Sequence, residues 1–357
     1  MTTRLFIPGP VDVRADILDK MSRAQIGHRT KEASELQGSI SKKLQRIFMT
    51  KEEVLLSTSS GTGLMEGAVR SCSSSRAAIF SIGAFGKKWY DMAVSNGIGA
   101  DLYEVPMGVA MDPDFIDGVL SMGRYDFVGI THNETSTGVA NPIEEISQVL
   151  RSYPSIVFAV DMVSSAGGHK LNIDELNIDI AITSSQKCLG LPPGISMCTF
   201  SEKAIERARN VKNRGYYFDL LKLYEFIKKK NYQYPSTPSI PHMFALDYQL
   251  EYILEVEGLE NRFKRHEDMA EVVRNWAREK HQLLGQEGHL SKTVTAIKNV
   301  RGINIGKLNE ELIKRGMMIS NGYGELKEKT FRIAHMADTQ IGEIEELLEN
   351  IDHITGI

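Results

Sequence analysis

The chain has 357 residues, a formal net charge of −4, 25% charged and 42% hydrophobic residues, enough for one large domain with a substantial core plus a smaller one. That balance excludes a nucleic-acid footprint and a disordered chain, and no run of ~18 apolar residues would cross a membrane. The apolar run Leu5-Phe6-Ile7 is too short for a signal peptide, and Cys72, Cys188 and Cys198 fit neither a disulfide framework nor a zinc site, so a cytoplasmic, metal-free protein is expected.

In chain order, short apolar runs alternate with amphipathic segments from about Glu53 to Phe200. Strands are expected at Val54–Leu56, Ala77–Phe80, Phe127–Ile130, Ile156–Val160, Ile178–Ile182 and Ile195–Cys198. Helices are expected between them at Leu64–Ser71, Lys87–Ser95, Pro113–Leu120 and Ile143–Arg151. This rhythm predicts an α/β fold, a doubly wound, mostly parallel sheet covered by helices. Beyond Phe200 the pattern predicts helix over Glu202–Lys230 and, after a break at Pro235, Pro238 and Pro241, over His242–Gln282. Strands near Thr293–Val300 and Thr330–Ala334 and a helix at Thr339–Ile351 read as a compact α+β domain.

Two residues carry the chemistry. Asp161 follows the apolar run Ile156–Val160, and Lys187 follows Ile178–Thr183 through Ser184-Ser185-Gln186. Both therefore belong at the carboxyl ends of buried strands, where open α/β sheets place their ligands. An amine and a carboxylate so placed match the needs of pyridoxal phosphate: a lysine for the Schiff base and an acid for the pyridinium nitrogen. The competing readings are a helix N-cap for Asp161 and a solvated surface charge for Lys187.

Ser59-Ser60-Gly61-Thr62-Gly63, between a strand and a helix, reads as a phosphate site at a helix N-terminus or as a tight turn. A dinucleotide reading of Gly61, Gly63 and Gly67 requires an acid at the end of the next strand, which instead ends Phe80-Ser81-Ile82-Gly83. Phe85, after that strand, would stack on a planar cofactor or pack in the core. Polar residues crowd His132-Asn133-Glu134-Thr135-Ser136-Thr137-Gly138, where hydroxyls would meet a ring or substrate, or only cap the sheet.

Taken in order, Gly61-Thr62-Gly63, Gly83-Ala84-Phe85-Gly86, residues 132–138, residues 161–168 and Ser185-Gln186-Lys187 resemble the class V pyridoxal-phosphate aminotransferases of fold type I, in the alanine/serine–glyoxylate (or pyruvate) branch. The likeness runs from Pro8-Gly9-Pro10 to Phe331-Arg332-Ile333. It implies that Ser60, Gly61 and Thr62 hold the cofactor phosphate, Phe85 stacks on the ring, Ser136 lies near it, Asp161 pairs with its nitrogen, Gln186 contacts the phosphate surroundings and Lys187 carries the Schiff base. It also implies that Tyr234 and Thr237 of Tyr-x-x-Thr-Pro reach the phosphate of a neighbouring subunit, hence a homodimer with active sites at the interface. Arg332 would grip the substrate carboxylate, with Gly9 beside the substrate, and a bidentate fork suits that task better than lysine. His28 and Arg29 either face the substrate's distal group or make a structural contact.

The expected division is an N-terminal segment, 1–15, serving the active site and the small domain, a large cofactor domain, 16–256, and a small C-terminal domain, 257–357. The expected reaction moves an amino group between a small amino acid and a 2-oxo acid such as glyoxylate or pyruvate. The alternatives are a phosphoserine or other anionic amino acid aminotransferase, and a non-catalytic partner protein that keeps the fold. A desulfurase needs a mobile thiol near the C-terminal domain, whereas all three cysteines precede residue 200.

Overall fold

The computed structural model describes residues 3–356; Met1, Thr2 and Ile357, the outermost positions of the expected N-terminal segment and C-terminal domain, lie outside it. The chain begins with β1 (Arg4–Phe6), α1 (Ala15–Met21) and α2 (Lys31–Phe48). The Thr30 hydroxyl caps α2 by accepting from the Ala33 amide, and Met49 ends it in the left-handed region at φ 50°. Next come β2 (Glu53–Ser57), α3 (Gly61–Cys72), β3 (Arg76–Ser81), α4 (Ala84–Ser95), β4 (Gly99–Glu104), α5 (Pro113–Leu120) and β5 (Phe127–Thr131). A ribbon of β6 (Asn133–Glu134) and β7 (Val139–Ala140) precedes α6 (Ile143–Arg151), β8 (Val157–Asp161), β9 (Ile180–Ser184) and β10 (Ser196–Phe200).

Seven of these strands form one sheet in the order β2-β10-β9-β8-β5-β3-β4. Its pairs are parallel except those of β10, which runs antiparallel to both β9 and β2. Central strands β5, β8 and β9 are buried along their whole length, which explains their nearly unbroken apolar sequences. Alternate residues feed two cores: Phe158 and Val160 join Phe80 and Leu246 on one face, while Val157 and Ala159 join Trp89 and Phe200 on the other.

The chain continues through α7 (Glu202–Asn210), α8 (Leu220–Lys229), α9 (Ile240–Glu251), a π-helical turn at Tyr252–Glu257 and α10 (Leu259–Lys280). The long helices expected over 202–230 and 242–282 are both interrupted. Residues 211–219 leave the first, and Asp219 restarts it by accepting from the Lys222 amide; Gly258, at φ 81°, breaks the second. The remaining elements are β11 (Gln282–Leu283), β12 (Val294–Lys298), α11 (Ile305–Lys314), β13 (Met317–Asn321), β14 (Thr330–Ala334) and α12 (Ile341–Thr355). They build a five-stranded sheet, β1-β13-β14-β12-β11, in which the N-terminal strand pairs parallel with β13. Its own core contains Phe6, Val273, Phe331 and Leu347. No helix of the described residues is long and apolar enough to cross a membrane.

A buried arginine ties α10 to the loop after β9. Arg262, 0% exposed, donates through Nη1 to Glu257 at 2.6 Å and Asp338 at 2.9 Å, and through Nη2 to the carbonyl of Cys188 at 2.6 Å. Removing it takes a charged partner from both carboxylates, although Glu257 keeps Arg265 at 2.6 Å and Asp338 keeps Gln249 at 3.0 Å, so Arg262→Ala should cost about 1.5–3 kcal/mol. Urea unfolding of the two proteins measures that difference, and a loss under about 1 kcal/mol, the range of exposed ion pairs, would contradict a role for the buried guanidinium.

Candidate active site

Strands β8 and β9 lie side by side and parallel, with Asp161 opposite Ile182. Asp161 is the last residue of β8, and Lys187 stands three residues beyond the end of β9, so one sheet edge presents both groups. They line a cleft of about 180 Å³ together with Ser60, Gly61, Thr62, Phe85 and Gln186. A larger hollow, about 550 Å³, opens at the opposite ends of these strands beside Lys51, Glu52 and Asp179. Volume favours the hollow, but chemistry favours the cleft. Asp179 is already paired with Lys203 at 2.8 Å and stands at the amino end of β9.

Burial pushes the Asp161 carboxyl up to about 6, opposed by hydrogen bonds from the Val163 amide at 2.8 Å and the Thr131 hydroxyl at 3.3 Å. Burial likewise lowers Lys187 to about 8, so a substantial neutral fraction exists near physiological pH. Part of the Lys187 side chain is open to the cleft, yet its Nζ lies under the N-terminal segment and donates to the Pro8 carbonyl. Gly9 makes this approach possible: its φ is 93°, and a Cβ there would stand 2.7 Å from Nζ.

Helix α3 opens on Ser60, whose side chain does not cap it, leaving the first-turn amides and their partial positive charge for an anion. A Cβ on Gly61 would meet Val163 at 2.5 Å, so only glycine lets that backbone reach the cleft wall. Phe85, in the first turn of α4, faces Tyr323 with ring centroids 5.4 Å apart and carries the Lys88 ammonium 4.6 Å from its centroid. Gln186 accepts from the Ser184 hydroxyl at 2.5 Å. Asn133 lines the cleft, and its buried Oδ1 has no hydrogen-bond partner among the described residues.

The other expected residues lie farther out. Arg332, 7% exposed, sits behind the cleft wall and donates to the carbonyls of Thr135 at 3.0 Å and Asn321 at 3.1 Å, leaving three of its five N–H groups. Ser136 is buried beside α4, accepting from the Ala84 amide and donating to Glu134. The Tyr234 hydroxyl accepts from the Thr58 amide of its own chain, while Thr237 is exposed; neither lines this chain's cleft. Arg29 donates to the carbonyls of Tyr234 and Ser236, a structural contact, and His28 is also absent from the cleft lining. His132 lies deeper, bonded to Ser165 at 2.9 Å, and burial lowers it to about 3. Sequence reasoning did not single out Lys88, Asn133 or Glu134; the crowded polar stretch at 132–138 was the available signal for the last two.

The family model of class-V aminotransferases matches residues 15–336. An aminotransferase of Methanocaldococcus jannaschii without an assigned substrate is 37% identical over 340 residues, 93% of this chain and 87% of that protein. The L-aspartate–glyoxylate aminotransferase of Paracoccus denitrificans is 30% identical, covering 93% of this chain and 86% of its own length. The solved alanine–glyoxylate aminotransferase of Nostoc superposes with a TM-score of 0.94 at 25% identity, over 99% of this chain and 96% of that one. With the family model covering most of the chain and every residue that lines the cleft, this chain belongs to the class-V aminotransferases.

Proposed function

We propose that the cleft holds pyridoxal 5′-phosphate, the cofactor of this family, and that the chain moves an amino group between a small amino acid of the alanine or serine type and a 2-oxo acid such as glyoxylate or pyruvate. One observation carries the reading: Lys187 and Asp161 share a cleft whose far wall is an uncapped helix N-terminus and an aromatic ring. The donor set suits the cofactor. The α3 amides with Ser60, Gly61 and Thr62 suit a phosphate, Phe85 a flat ring, Gln186 the phosphate surroundings, and the orphaned Asn133 oxygen a hydroxyl or N–H. When bound, the cofactor supplies the electron sink for a carbanion at the substrate Cα.

The chain's own residues then divide the work. Lys187 would hold the cofactor through its Nζ, and the same amine, when free, would carry the proton that leaves the substrate Cα. Asp161 holds a proton on the ring nitrogen, an ion pair that would relieve its own desolvation. Arg332 orients the substrate carboxylate with its remaining N–H groups, and Ser136 steadies the wall beside Phe85. Residues 1–15, ending β1 and crossing above Lys187 at Pro8-Gly9, serve both the site and the small domain, with the large domain over 16–256 and the small one over 257–357. Tyr234 and Thr237 would complete the phosphate site of a second copy in a homodimer.

A second reading, transfer from an amino acid with an anionic side chain such as aspartate or phosphoserine, is favoured by Lys88. It lines the cleft and has no carboxylate partner among the described residues. With His28 and Arg29 outside the cleft of their own chain, Lys88 is the cation this chain offers to a distal acid.

Three outcomes test these readings. Lys187→Ala should remove the absorbance specific to lysine-linked cofactor and cut turnover about 100- to 10,000-fold or more; retained turnover would defeat the site. Asp161→Asn should also lose turnover, yet stabilise the cofactor-free protein. A folded value near 6, above the ordinary 3.8, makes the ionised acid a liability at higher pH. The gain should reach up to about 3 kcal/mol above pH ~6, shrink as pH falls and vanish below pH ~4, as thermal melts would report. Finally, half-reactions with alanine, serine, aspartate and phosphoserine rank the donors. Lys88→Met should raise KM about tenfold or more for an acidic donor and leave alanine unchanged, and equal effects on both would remove the second reading.

A further inference from the structure

The first turn of α4 is capped from a distance. Gly83 stands at its N-cap position with no side chain to offer, and a Cβ there would meet Glu134 Cγ at 2.6 Å. The cap comes instead from the loop after β5. Glu134 Oε2 accepts from the amides of Phe85 at 2.9 Å and Gly86 at 3.0 Å, while Oε1 accepts from the Ser136 amide at 3.1 Å and hydroxyl at 2.6 Å. Ser136 Oγ in turn accepts from the Ala84 amide at 3.2 Å, so three successive amides of the turn end on Glu134 and the serine bonded to it.

Glu134 is 0% exposed, and no lysine, arginine or histidine lies within ion-pair distance of it among the described residues. The groups bonded to it are all donors; the partial positive charge of the α4 N-terminus and, beyond ion-pair distance, the Arg332 guanidinium attract it, while Asp161 repels it. A buried carboxylate is a costly way to cap a helix, for a serine or aspartate at the N-cap position does the same locally. What the long-range version adds is a fixed relation between two parts of the site. Phe85 rides on the turn that Glu134 holds, and the neighbouring Thr135 carbonyl holds the Arg332 guanidinium at 3.0 Å. The same loop thus sets both the ring face and the carboxylate fork.

We infer that Glu134 is a positioning residue that locks the Phe85 face to the Arg332 guanidinium, so that the two present a cofactor ring and an amino acid carboxylate in one geometry. The inference rests on the transaminase reading above. Glutamine at 134 keeps an acceptor for the Phe85 and Gly86 amides but turns an NH₂ toward the Ser136 amide, so one leg of the bridge is repelled. In the cofactor-free protein, hydrogen exchange of the Ser136 and Ala84 amides should quicken at least tenfold in Glu134→Gln, with unchanged exchange in β8. In the loaded enzyme, kcat/KM for the amino donor should fall about 10- to 100-fold, mostly through KM, and the circular dichroism of the bound cofactor should weaken.

A double-mutant cycle decides whether the effect runs through Arg332. Glu134→Gln and Arg332→Lys should be strongly non-additive in kcat/KM, the double variant being little worse than the worse single one. Additive losses, or unaltered exchange at residues 84 and 136, would overturn the inference. Should Glu134→Gln fail to fold, Ser136→Ala removes the hydroxyl's bonds to Glu134 Oε1 and the Ala84 amide but leaves the Phe85 and Gly86 amides on Oε2, and must show the same exchange signature and KM bias in milder form. A wild-type protein that neither takes up the cofactor nor turns over would instead defeat the transaminase reading, and the exchange result would still stand or fall by itself.

Discussion

Two ionisable groups withdrawn from water at neighbouring strand ends are the constraint around which this molecule is organised. Burial drives Asp161 upward to about 6 and Lys187 downward to about 8, and in both the desolvation outweighs their mutual attraction. Each is thus closer to neutrality than it would be in water. A parallel sheet buried on both faces makes this arrangement possible: β8 and β9 bring the chain to the edge of the core and release it there, so the first residues past the strands inherit a dry environment with an open side. Such a site is unfavourable for the empty protein and favourable for a ligand bearing a positive nitrogen and an aldehyde, the usual relation between stored destabilisation and function.

The five-stranded sheet matters because it braces the cleft from behind, every residue of the lining coming from the seven-stranded sheet and its loops and helices. Arg332 stands on β14, and its guanidinium crosses to the Thr135 carbonyl of the other sheet's loop. Tyr323, from the turn after β13, reaches Phe85 on α4. Strand β1 belongs to the same small sheet, and the chain leaving it passes over Lys187 at Pro8 and Gly9. Arg262 closes the circuit by holding the carbonyl of Cys188, the residue after the lysine, to α10. Each link is a desolvated hydrogen bond to a backbone carbonyl or a ring contact, so a shift between the sheets is felt at the amine.

How legible this was depended on whether a residue's neighbours were local. The buried strands β2, β3, β5, β8 and β9 could be read because apolar runs bounded by polar turns have few alternatives, and α5 and α6 matched their expected ends. Strand β4 escaped because it is an edge: it is half exposed and carries Asp101 and Glu104, so no apolar run marks it. Strands β1 and β13 escaped because they are short and pair with each other across almost the whole chain. The break between α7 and α8 contains Gly215 but no proline, and composition alone did not outweigh the helical pattern on either side. At the site, Asp161 and Lys187 were legible from the strand ends they follow. Glu134 was not, since its significance lies in amides about fifty positions earlier in the chain.

The positions that resisted assignment lie at or just beneath one surface of the single chain: Arg29 and Thr237 are exposed, His28 is half-buried and Tyr234 is buried. Arg29 spends its guanidinium on the carbonyls of Tyr234 and Ser236, fastening the segment that carries Tyr234 and Thr237 to the start of α2. A surface loop held this firmly by a side chain from another part of the sequence is a prepared surface, because ordering it in advance lowers the entropy lost when a second molecule docks. On this view Arg29 contributes to a site without touching ligand, by fixing the loop that a second copy of the chain would present. That also separates two sources of specificity. The Arg332 guanidinium and the Phe85 ring proposed to meet substrate and cofactor belong to one chain, whereas the distal end of the pocket would be finished at the interface, and Lys88 is a further cation that this chain brings to the cleft.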